Sequence, residues 1–268
     1  MQQIKPVLKY PGAKQGISDW IISHFPPHRV YVEPYMGSLA ILLNKGTVPI
    51  ETVNDIDDDV VNLFRTIRNY PEALAKAVYC TPYARAEYTA AFGGDPENPV
   101  ERARYFLIKS WQSHGHRQLH YNVGWKRDIN REAAYAARYW ADLPGRIVET
   151  AERLRGVQIE NTNALELIQA YNSPDVLIYA DPPYLLETRA QKKHYRHEMT
   201  DADHVALLQV LRQHKGFVVL SGYDNQIYND NLAGWHTDTI NTFASNAKPR
   251  TEKLWMNFEQ QMQLQDYI

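Results

Sequence analysis

The sequence of 268 residues lacks the features of secreted, disulfide-bonded and membrane-embedded proteins. Cys80 is the only cysteine, which excludes an internal disulfide and is typical of a reducing cytoplasm. A membrane span needs a run of about 18 apolar residues, and the sequence has none. Residues 1–6 are polar and do not resemble a signal peptide. We therefore expect a cytoplasmic protein that does not enter a membrane.

The charge is nearly balanced, and a common dinucleotide-binding fingerprint is missing. The formal net charge is −2, so a site for a polyanion has to come from local clusters of basic residues. Gly-x-Gly-x-x-Gly does not occur after a predicted strand, which disfavours a nicotinamide oxidoreductase. With 44% apolar residues, the chain can bury a sizeable core as one large domain or as a domain with an insertion.

Predicted strands and helices alternate at both ends of the chain. Short apolar segments predict strands, and they lie near residues 30–32, 52–53, 157–159, 176–180 and 217–220. From about residue 70 to 155 helical patterns dominate, and no strong buried strand is predicted. We expect an α/β fold of the doubly wound type, formed by residues 1–69 and 156–268, with a mostly helical insertion at 70–155.

The segment Asp181-Pro182-Pro183-Tyr184 follows the predicted central strand at 176–180. Open α/β sheets place their chemistry at the carboxyl ends of such strands. Two prolines end both the strand ladder and any helix, so the backbone carbonyls of Asp181 and Pro182 are expected to be free to accept hydrogen bonds. An amino group on a ring that stacks on Tyr184 would suit this corner. The pattern therefore predicts a nucleobase site.

Three other segments have polar residues at the ends of predicted elements, and each signal is weak alone. Residues 33–37 join a strand to a helix, where a small residue lets a ligand approach the backbone; an ordinary turn explains them as well. Asp55 follows the second strand, where an acidic residue commonly receives ribose hydroxyls, although aspartate also caps helices. Residues 9–14 combine an aromatic ring with two cations, or form a solvated loop.

Taken in chain order, these segments resemble one enzyme family. The matching motifs are Leu8-Lys9-Tyr10-Pro11-Gly12-Ala13-Lys14, Val32-Glu33-Pro34-Tyr35-Met36-Gly37-Ser38, Asn54-Asp55-Ile56 and Asp181-Pro182-Pro183-Tyr184. The chain is similar to the Dam-like, or D12 class, DNA adenine-N6 methyltransferases, which carry these motifs in the same order. The resemblance extends over residues 250–258 and implies a Rossmann-like sheet that binds S-adenosyl-L-methionine, with a target-recognition domain inserted at 70–155.

The resemblance also implies roles for single residues. The implied cofactor-binding residues are Tyr10, Lys14, Glu33, Tyr35, Gly37, Asp55, Asn163 and Asp181. Of these, Asp55 would bind the ribose hydroxyls, and Glu33 would lie beneath the methionine moiety. The adenine-ring contact falls at Asn163, where many relatives carry aspartate. The asparagine still offers an oxygen acceptor.

The implied catalytic residues are Asp181, Pro182 and Tyr184. A target adenine would rotate out of duplex DNA at a cost of roughly a few kcal/mol. Stacking on Tyr184 would recover about 1–3 kcal/mol. The Asp181 carboxylate and the Pro182 carbonyl would then accept the two N6 hydrogens and aim the nitrogen lone pair at the methyl group. Placement and electrostatics could supply most of the acceleration.

Basic residues form two clusters that suit phosphate contacts. The residues predicted to bind DNA are Lys109, Arg117, Lys126, Arg127, Arg131, Arg189, Lys192 and Lys193. Arg102 and Arg104 add to the first cluster, for which a solvated helical face is the alternative. The histidines at 114, 116 and 120 have no cysteine or carboxylate cluster beside them, so we expect no metal.

Several alternatives stay open on the sequence alone. An N4-cytosine DNA methyltransferase would use the same chemistry, but that group more often carries serine at position 181. An N6-adenine RNA methyltransferase and a non-catalytic DNA-binding module are the other readings. The sequence predicts a monomer or weak dimer. It does not distinguish a restriction-modification enzyme, which would have a cognate endonuclease, from a solitary, phage or prophage enzyme, nor does it give the recognised site.

Overall fold

The computed structural model describes residues 3–114, 122–128, 135–188, 195–243 and 249–259. These residues form a seven-stranded sheet. Its strands are β1 (Val30–Glu33), β2 (Ile50–Asn54), β3 (Val157–Glu160), β4 (Val176–Ala180), β5 (Phe217–Gly222), β6 (His236–Phe243) and β7 (Pro249–Met256). The order across the sheet is β3-β2-β1-β4-β5-β7-β6. The predicted α/β fold with a Rossmann-like sheet is therefore confirmed.

The first five strands are parallel, and β7 is antiparallel to both β5 and β6. All five residues of β4 are buried, as expected for a central strand covered on both faces. The strand order reverses between β1 and β4, and such a reversal opens a crevice at the carboxyl ends of the strands. The cavity described below lies at this edge.

The described residues contain helices on both faces of the sheet and between its two halves. They are α1 (Ser18–Ser23), α2 (Ala40–Asn44), α3 (Asp58–Asn69), α4 (Pro71–Tyr79), α5 (Arg85–Gly93), α6 (Pro99–Gln112), α7 (Tyr135–Ala141), α8 (Leu143–Arg153), α9 (Ala164–Ala170), α10 (Asp201–Arg212) and α11 (Gln226–Asn231). Among these described helices, none is both long and apolar enough to cross a bilayer.

The helices α4 to α8 lie in the predicted insertion, and they share a hydrophobic core with the sheet. Phe64 of α3, Leu107 of α6 and Trp140 of α7 belong to the same cluster of buried side chains as Val53 of β2. Helix α6 packs on α3, and α8 packs on α4. Continuous packing of this kind couples the insertion mechanically to the sheet. The domain boundaries near 70 and 155 stay a prediction.

Side-chain caps fix where two helices at the carboxyl edge of the sheet begin. The Asp57 side chain accepts a hydrogen bond from the Asp59 N–H at the start of α3. Thr200 and Asp203 form a reciprocal capping box at the start of α10. Such caps satisfy backbone donors that have no partner within the helix. They hold the loops that precede α3 and α10 at the rim of the cavity.

Candidate active site

A cavity of about 270 Å³ lies at the carboxyl edge of the sheet. The ends of β1, β2 and β4 line it, together with residues 10–14 and 195–199. The predicted cofactor-binding residues that line it are Tyr10, Lys14, Glu33, Tyr35, Gly37, Asp55, Asn163 and Asp181. Residues separated by up to 171 positions in the chain are thus brought to one place.

The turn between β1 and α2 is shaped by two residues with positive φ. Gly37 has φ +42°, and a Cβ added there would lie 3.0 Å from Cδ1 of Tyr10. Leu39, at the start of α2, has φ 58°, a left-handed conformation that costs a residue with a side chain about 1–2 kcal/mol. The backbone of this turn therefore lies close to the Tyr10 ring, with no room for a side chain at position 37.

Asp55 fixes the same turn from the end of β2. Its Oδ2 accepts a hydrogen bond from the Gly37 N–H, and its Oδ1 accepts one from the Asp57 N–H, each at 3.0 Å. Burial raises the pKa of Asp55 to about 7, although these backbone donors favour the ionised form. Each oxygen has a lone pair left to accept a ligand hydroxyl.

Glu33 is buried at the end of β1 and faces the cavity. The Tyr31 hydroxyl donates to its Oε2 at 2.8 Å. Burial raises the pKa of Glu33 to about 8, and the negative charge of Asp181 adds to the rise. A positively charged ligand group beside Glu33 would reverse this shift, because it favours the carboxylate.

Asn163 lines the cavity at the start of α9. Its side-chain oxygen accepts a hydrogen bond from the Leu165 N–H at 2.8 Å and so caps that helix. Asn54 connects the neighbouring strand ends, because its amide donates to the Pro34 carbonyl at 2.9 Å and its oxygen accepts from the Thr162 N–H at 2.8 Å. Asn54 was not among the predicted site residues. Its position directly before Asp55 was the available signal.

Lys14 forms an ion pair with Asp181 at the end of β4. Its Nζ lies 2.8 Å from each carboxylate oxygen and 2.8 Å from the carbonyl of Gly12. Burial lowers the pKa of Lys14, but the Asp181 and Glu252 carboxylates outweigh it and the net shift is upward. Burial raises the pKa of Asp181 while the lysine opposes the rise. The sequence predicted Lys14 as a cofactor-pocket residue but not this pairing.

The Tyr184 ring completes the corner. The Lys14 Nζ lies over the ring, 4.8 Å from its centroid, and Tyr223 packs edge-on against it at 4.6 Å. The Tyr184 hydroxyl donates to Oε2 of Glu252 at 2.7 Å. In the described part of the chain, no group donates a hydrogen bond to the Pro182 carbonyl. The corner thus offers a carbonyl acceptor, a carboxylate and an aromatic ring.

Residues 195–199 also line the cavity. The Tyr195 hydroxyl donates to the Pro11 carbonyl at 3.1 Å, and the Tyr195 ring lies 5.7 Å from the Tyr10 ring. Arg196 lies 3.4 Å from Asp59. Tyr195 thus contacts the loop at residues 10–14.

Part of the predicted DNA-binding surface falls within the described residues. Lys126 and Arg127 are half-buried and exposed, respectively, and the Nζ of Lys109 lies over the Phe92 ring at 5.5 Å. The predictions outside the described residues are Arg117, Arg131, Arg189, Lys192 and Lys193.

Two arginines counted in the first basic cluster have carboxylate partners. Arg102 lies 2.6 Å from Asp59. Arg104 lies 2.8 Å from Glu101 and 2.9 Å from Glu87. Their charge is locally neutralised, so the cluster is less basic than its composition suggests. The described residues contain no group of three His, Cys, Asp or Glu side chains arranged to hold a metal.

The motifs that form the cavity also occur in known proteins. Residues 10–253 match the family described as D12 class N6 adenine-specific DNA methyltransferase. The chain is 26% identical to the Retron Ec67 DNA adenine methylase of Escherichia coli over 193 residues, which cover 66% of this chain and 63% of that protein. It is 24% identical to the DNA N-6-adenine-methyltransferase of Escherichia phage P1 over 110 residues, or 39% of this chain and 14% of that protein.

These matches thus cover less than two thirds of either relative's length. A solved SAM-dependent methyltransferase from Agrobacterium tumefaciens aligns with a TM-score of 0.37 and 11% identity, over 91% of this chain and 61% of that chain. Nothing below depends on that alignment. The family match spans the β1 turn, Asp55, the helical segment and the Asp181 corner together. The chain belongs to the D12 class N6 adenine-specific DNA methyltransferases.

Proposed function

We propose that the protein transfers a methyl group from S-adenosyl-L-methionine to N6 of adenine in duplex DNA. The observation that carries the proposal is the corner at the end of β4, where Asp181 lines the cavity and the Lys14 ammonium joins its carboxylate to the Tyr184 ring. In the described residues, the Pro182 carbonyl of this corner accepts no hydrogen bond. An exocyclic amine needs two acceptors, and its ring needs a stacking surface. The corner offers both, in a chain of the adenine-methylating family.

The cavity suits the cofactor in charge and in shape. Six carboxyl-bearing residues line it, among them Glu33, Asp55 and Asp181, and they favour a ligand with positive charge. The missing side chain at Gly37 lets a ligand approach the backbone where a Cβ would already crowd Tyr10. Asp55 retains acceptor capacity for ribose hydroxyls. S-adenosyl-L-methionine supplies an activated methyl group when it is bound there.

The chain's own residues then position the target. Tyr184 stacks on the adenine that has left the duplex, while Asp181 and the Pro182 carbonyl accept its two N6 hydrogens. These contacts orient the nitrogen lone pair toward the cavity. Such orientation holds the reacting atoms in a near-attack geometry, which can lower the activation barrier by on the order of 7–11 kcal/mol. Asp181 is also the nearest acceptor for the proton that the methylated nitrogen loses.

Target entry requires Lys14 to move. Its ammonium lies 2.8 Å from both oxygens of Asp181 and over the Tyr184 ring, so it occupies the contacts that we assign to the amine. Each oxygen of Asp181 keeps a further lone pair, but a base stacked on this face of Tyr184 would meet the ammonium over the ring. We propose that the Lys14 ammonium moves away from the ring when the target enters.

Two basic residues of the described chain support a surface for DNA. Lys126 and Arg127 are described residues of the predicted basic stretch. The Lys126 N–H donates to the Gln112 carbonyl at 2.7 Å, which fixes the backbone at this point. We propose that they contact phosphates and that the other predicted basic residues extend this surface. Phosphate contacts of this kind make binding strongly dependent on salt.

The proposed function is tested by mapping methylated bases in DNA from cells that express the chain. We expect N6-methyladenine within a fixed sequence, and none in cells that express Asp181→Ala at an equal level. Methyl transfer from tritiated cofactor to duplex DNA, single-stranded DNA and structured RNA should favour the duplex.

Three results would contradict the proposal. Labelled N4-methylcytosine would show that the corner selects another base. Preference for RNA would change the substrate class. Binding of duplex DNA with no transfer, by folded protein that binds the cofactor, would indicate a non-catalytic DNA-binding module.

A further inference from the structure

A glutamate on the late strand β7 lies against the proposed catalytic corner. Glu252 is 8% exposed, and Leu254, Trp255 and Met256 on the same strand belong to the hydrophobic core. A carboxylate in such a place is costly unless it is hydrogen-bonded. Its partner is the Tyr184 hydroxyl, which donates to Oε2 at 2.7 Å.

The direction of β7 brings this carboxylate to the edge where the chemistry takes place. Strand β7 is antiparallel to β5, and Gly222 pairs with Lys253. Glu252, one residue before Lys253, therefore lies near the carboxyl end of the parallel strand β5. If β7 were parallel to β5, its amino end would lie at the opposite edge of the sheet.

Tyr184 is held at several points of its ring and hydroxyl. Tyr223, which directly follows β5, meets the ring edge-on at 4.6 Å and an interplanar angle of 72°. The Ser221 hydroxyl lies 3.3 Å from the Tyr184 hydroxyl. The short bond to Glu252 is the only one of these contacts to a carboxylate, and bonds to ionised acceptors are about twice as strong as neutral ones.

We propose that Glu252 is a positioning residue for methyl transfer, acting through the Tyr184 hydroxyl to fix the plane of the ring on which the target base stacks. The inference rests on the proposed function, since it assigns the stacking surface to Tyr184. A ring free to rotate about its χ angles would present its face to the base for only part of the time. Catalysis by placement is sensitive to such freedom.

A simpler role would be to balance the charge of Lys14, since Glu252 contributes to the raised pKa of that lysine. The two roles predict different behaviour for glutamine. Its amide oxygen accepts a hydrogen bond but carries no charge. Glu252→Gln therefore keeps the proposed contact and loses the charge, whereas Glu252→Ala loses both.

The experiment compares kcat for tritiated methyl transfer to duplex DNA that contains the mapped target sequence. We expect Glu252→Ala and Tyr184→Phe each to lower kcat roughly 10- to 100-fold, and Glu252→Gln to stay within about fivefold of the wild type. The kcat of the variant with both Tyr184→Phe and Glu252→Ala should be no more than about twofold below that of the less active single variant, because the two changes remove the same interaction.

A spectroscopic readout accompanies the kinetics. With 2-aminopurine at the mapped adenine, Tyr184→Phe and Glu252→Ala should raise the fluorescence of the complex, since a poorly held ring stacks less well. Thr251→Ala is the matched control, because Thr251 is exposed on the same strand and its hydroxyl donates to the Asn241 side chain instead. Melting temperature and binding of S-adenosylhomocysteine verify that each variant is folded.

Two outcomes overturn the inference alone. One is a wild-type kcat in Glu252→Ala. The other is an equal loss of kcat in Glu252→Gln and Glu252→Ala, together with a double variant whose loss of kcat is the product of the Tyr184→Phe and Glu252→Ala losses. That result would assign Glu252 to charge balance. Absence of transfer by the folded wild-type protein, on every duplex tested, overturns the proposed function and the inference together.

Discussion

Two neighbouring parts of one cavity edge differ in how far their polar groups are already paired. At the ends of β1 and β2, Glu33 accepts one hydroxyl and Asp55 accepts two backbone N–H groups, and both retain acceptor capacity. At the end of β4, Asp181 is bound at both oxygens by Lys14, whose ammonium also covers the Tyr184 ring. The first part is open for a ligand, and the second is occupied by the chain itself.

The difference indicates an order of events. A cofactor can enter the first part without displacing a side chain that is paired there. On the proposed assignment, a base that stacks on Tyr184 takes the place of the Lys14 ammonium over the ring. A site built in this way keeps its buried carboxylate compensated until substrate arrives, and an unpaired buried charge would cost several kcal/mol.

The largest expected effect comes from removing the carboxylate of the occupied part. Asp181→Ala should lower kcat for methyl transfer by roughly 10²- to 10³-fold, because an acceptor for the reacting amine is lost. Single-turnover transfer from tritiated cofactor measures it. Asp175→Ala, an exposed aspartate at the other end of β4, is the control. Near-normal turnover in Asp181→Ala would remove this residue from the mechanism.

Removing the stacking ring should have the next largest effect. Base–aromatic stacking contributes about 1–3 kcal/mol, so Tyr184→Ala should weaken capture of the extruded base roughly 5- to 150-fold. Fluorescence of 2-aminopurine at the target position reports it directly. Tyr139→Ala, an exposed ring on α7, should leave the signal unchanged. Equal fluorescence in Tyr184→Ala would show that another group stacks on the base.

The open part should make cofactor affinity depend on pH. The raised pKa values of Glu33, about 8, and Asp55, about 7, mean that both are protonated in the ligand-free protein at pH 6. Rising pH converts them to carboxylates, which accept hydrogen bonds and favour cations. Affinity should therefore increase by roughly tenfold from pH 6 to 8.5 and then level off.

Isothermal titration with S-adenosyl-L-methionine across this range measures that dependence. Glu33→Gln should flatten the upper part of the curve, whereas Glu72→Gln, on the exposed face of α4, should not change it. Affinity that falls as pH rises would show that the protonated carboxyls are the binding forms.

The smallest expected effect tests the shape of the turn. Gly37→Ala places a Cβ 3.0 Å from the Tyr10 ring at φ +42°, which should cost about 1–2 kcal/mol. We expect a lower melting temperature and roughly fivefold weaker cofactor binding. Gly46→Ala is the control, because nothing lies within 4 Å of the added methyl group. Equal behaviour of the two variants would show that the turn accommodates a side chain.

Much of the fold follows from local patterns. The buried strand β4 has the predicted bounds, because an apolar run marks it clearly. Strand β6, with the sequence His-Thr-Asp-Thr-Ile-Asn-Thr-Phe, was not predicted. Among the described strands it lies at the sheet edge and pairs with β7 alone. None of residues 236–242 is buried, so the strand lacks the apolar pattern that would have marked it.

The sequence predicted which residues belong to the site better than it predicted which of them contact each other. The motifs brought Asp181 and Lys14 to the same expected site, but their ion pair spans 167 positions and depends on how the loop at 10–14 crosses the sheet. Glu252 was not predicted at all. A charged residue that precedes Leu254-Trp255-Met256 in a late strand was the available signal, and only the antiparallel register assigns it to Tyr184.

The left-handed backbone of Leu39 has a consequence for selection. The conformation at φ 58° lowers stability whether or not a ligand is present, and glycine would relieve it at no steric cost. Glycine would also remove a fully buried side chain, and the loss of a buried leucine costs about 2–5 kcal/mol. That cost exceeds the roughly 1–2 kcal/mol of strain that glycine would relieve, so selection for heat resistance should retain Leu39. Packing of this side chain in the core thus holds the turn in a conformation that the backbone alone disfavours.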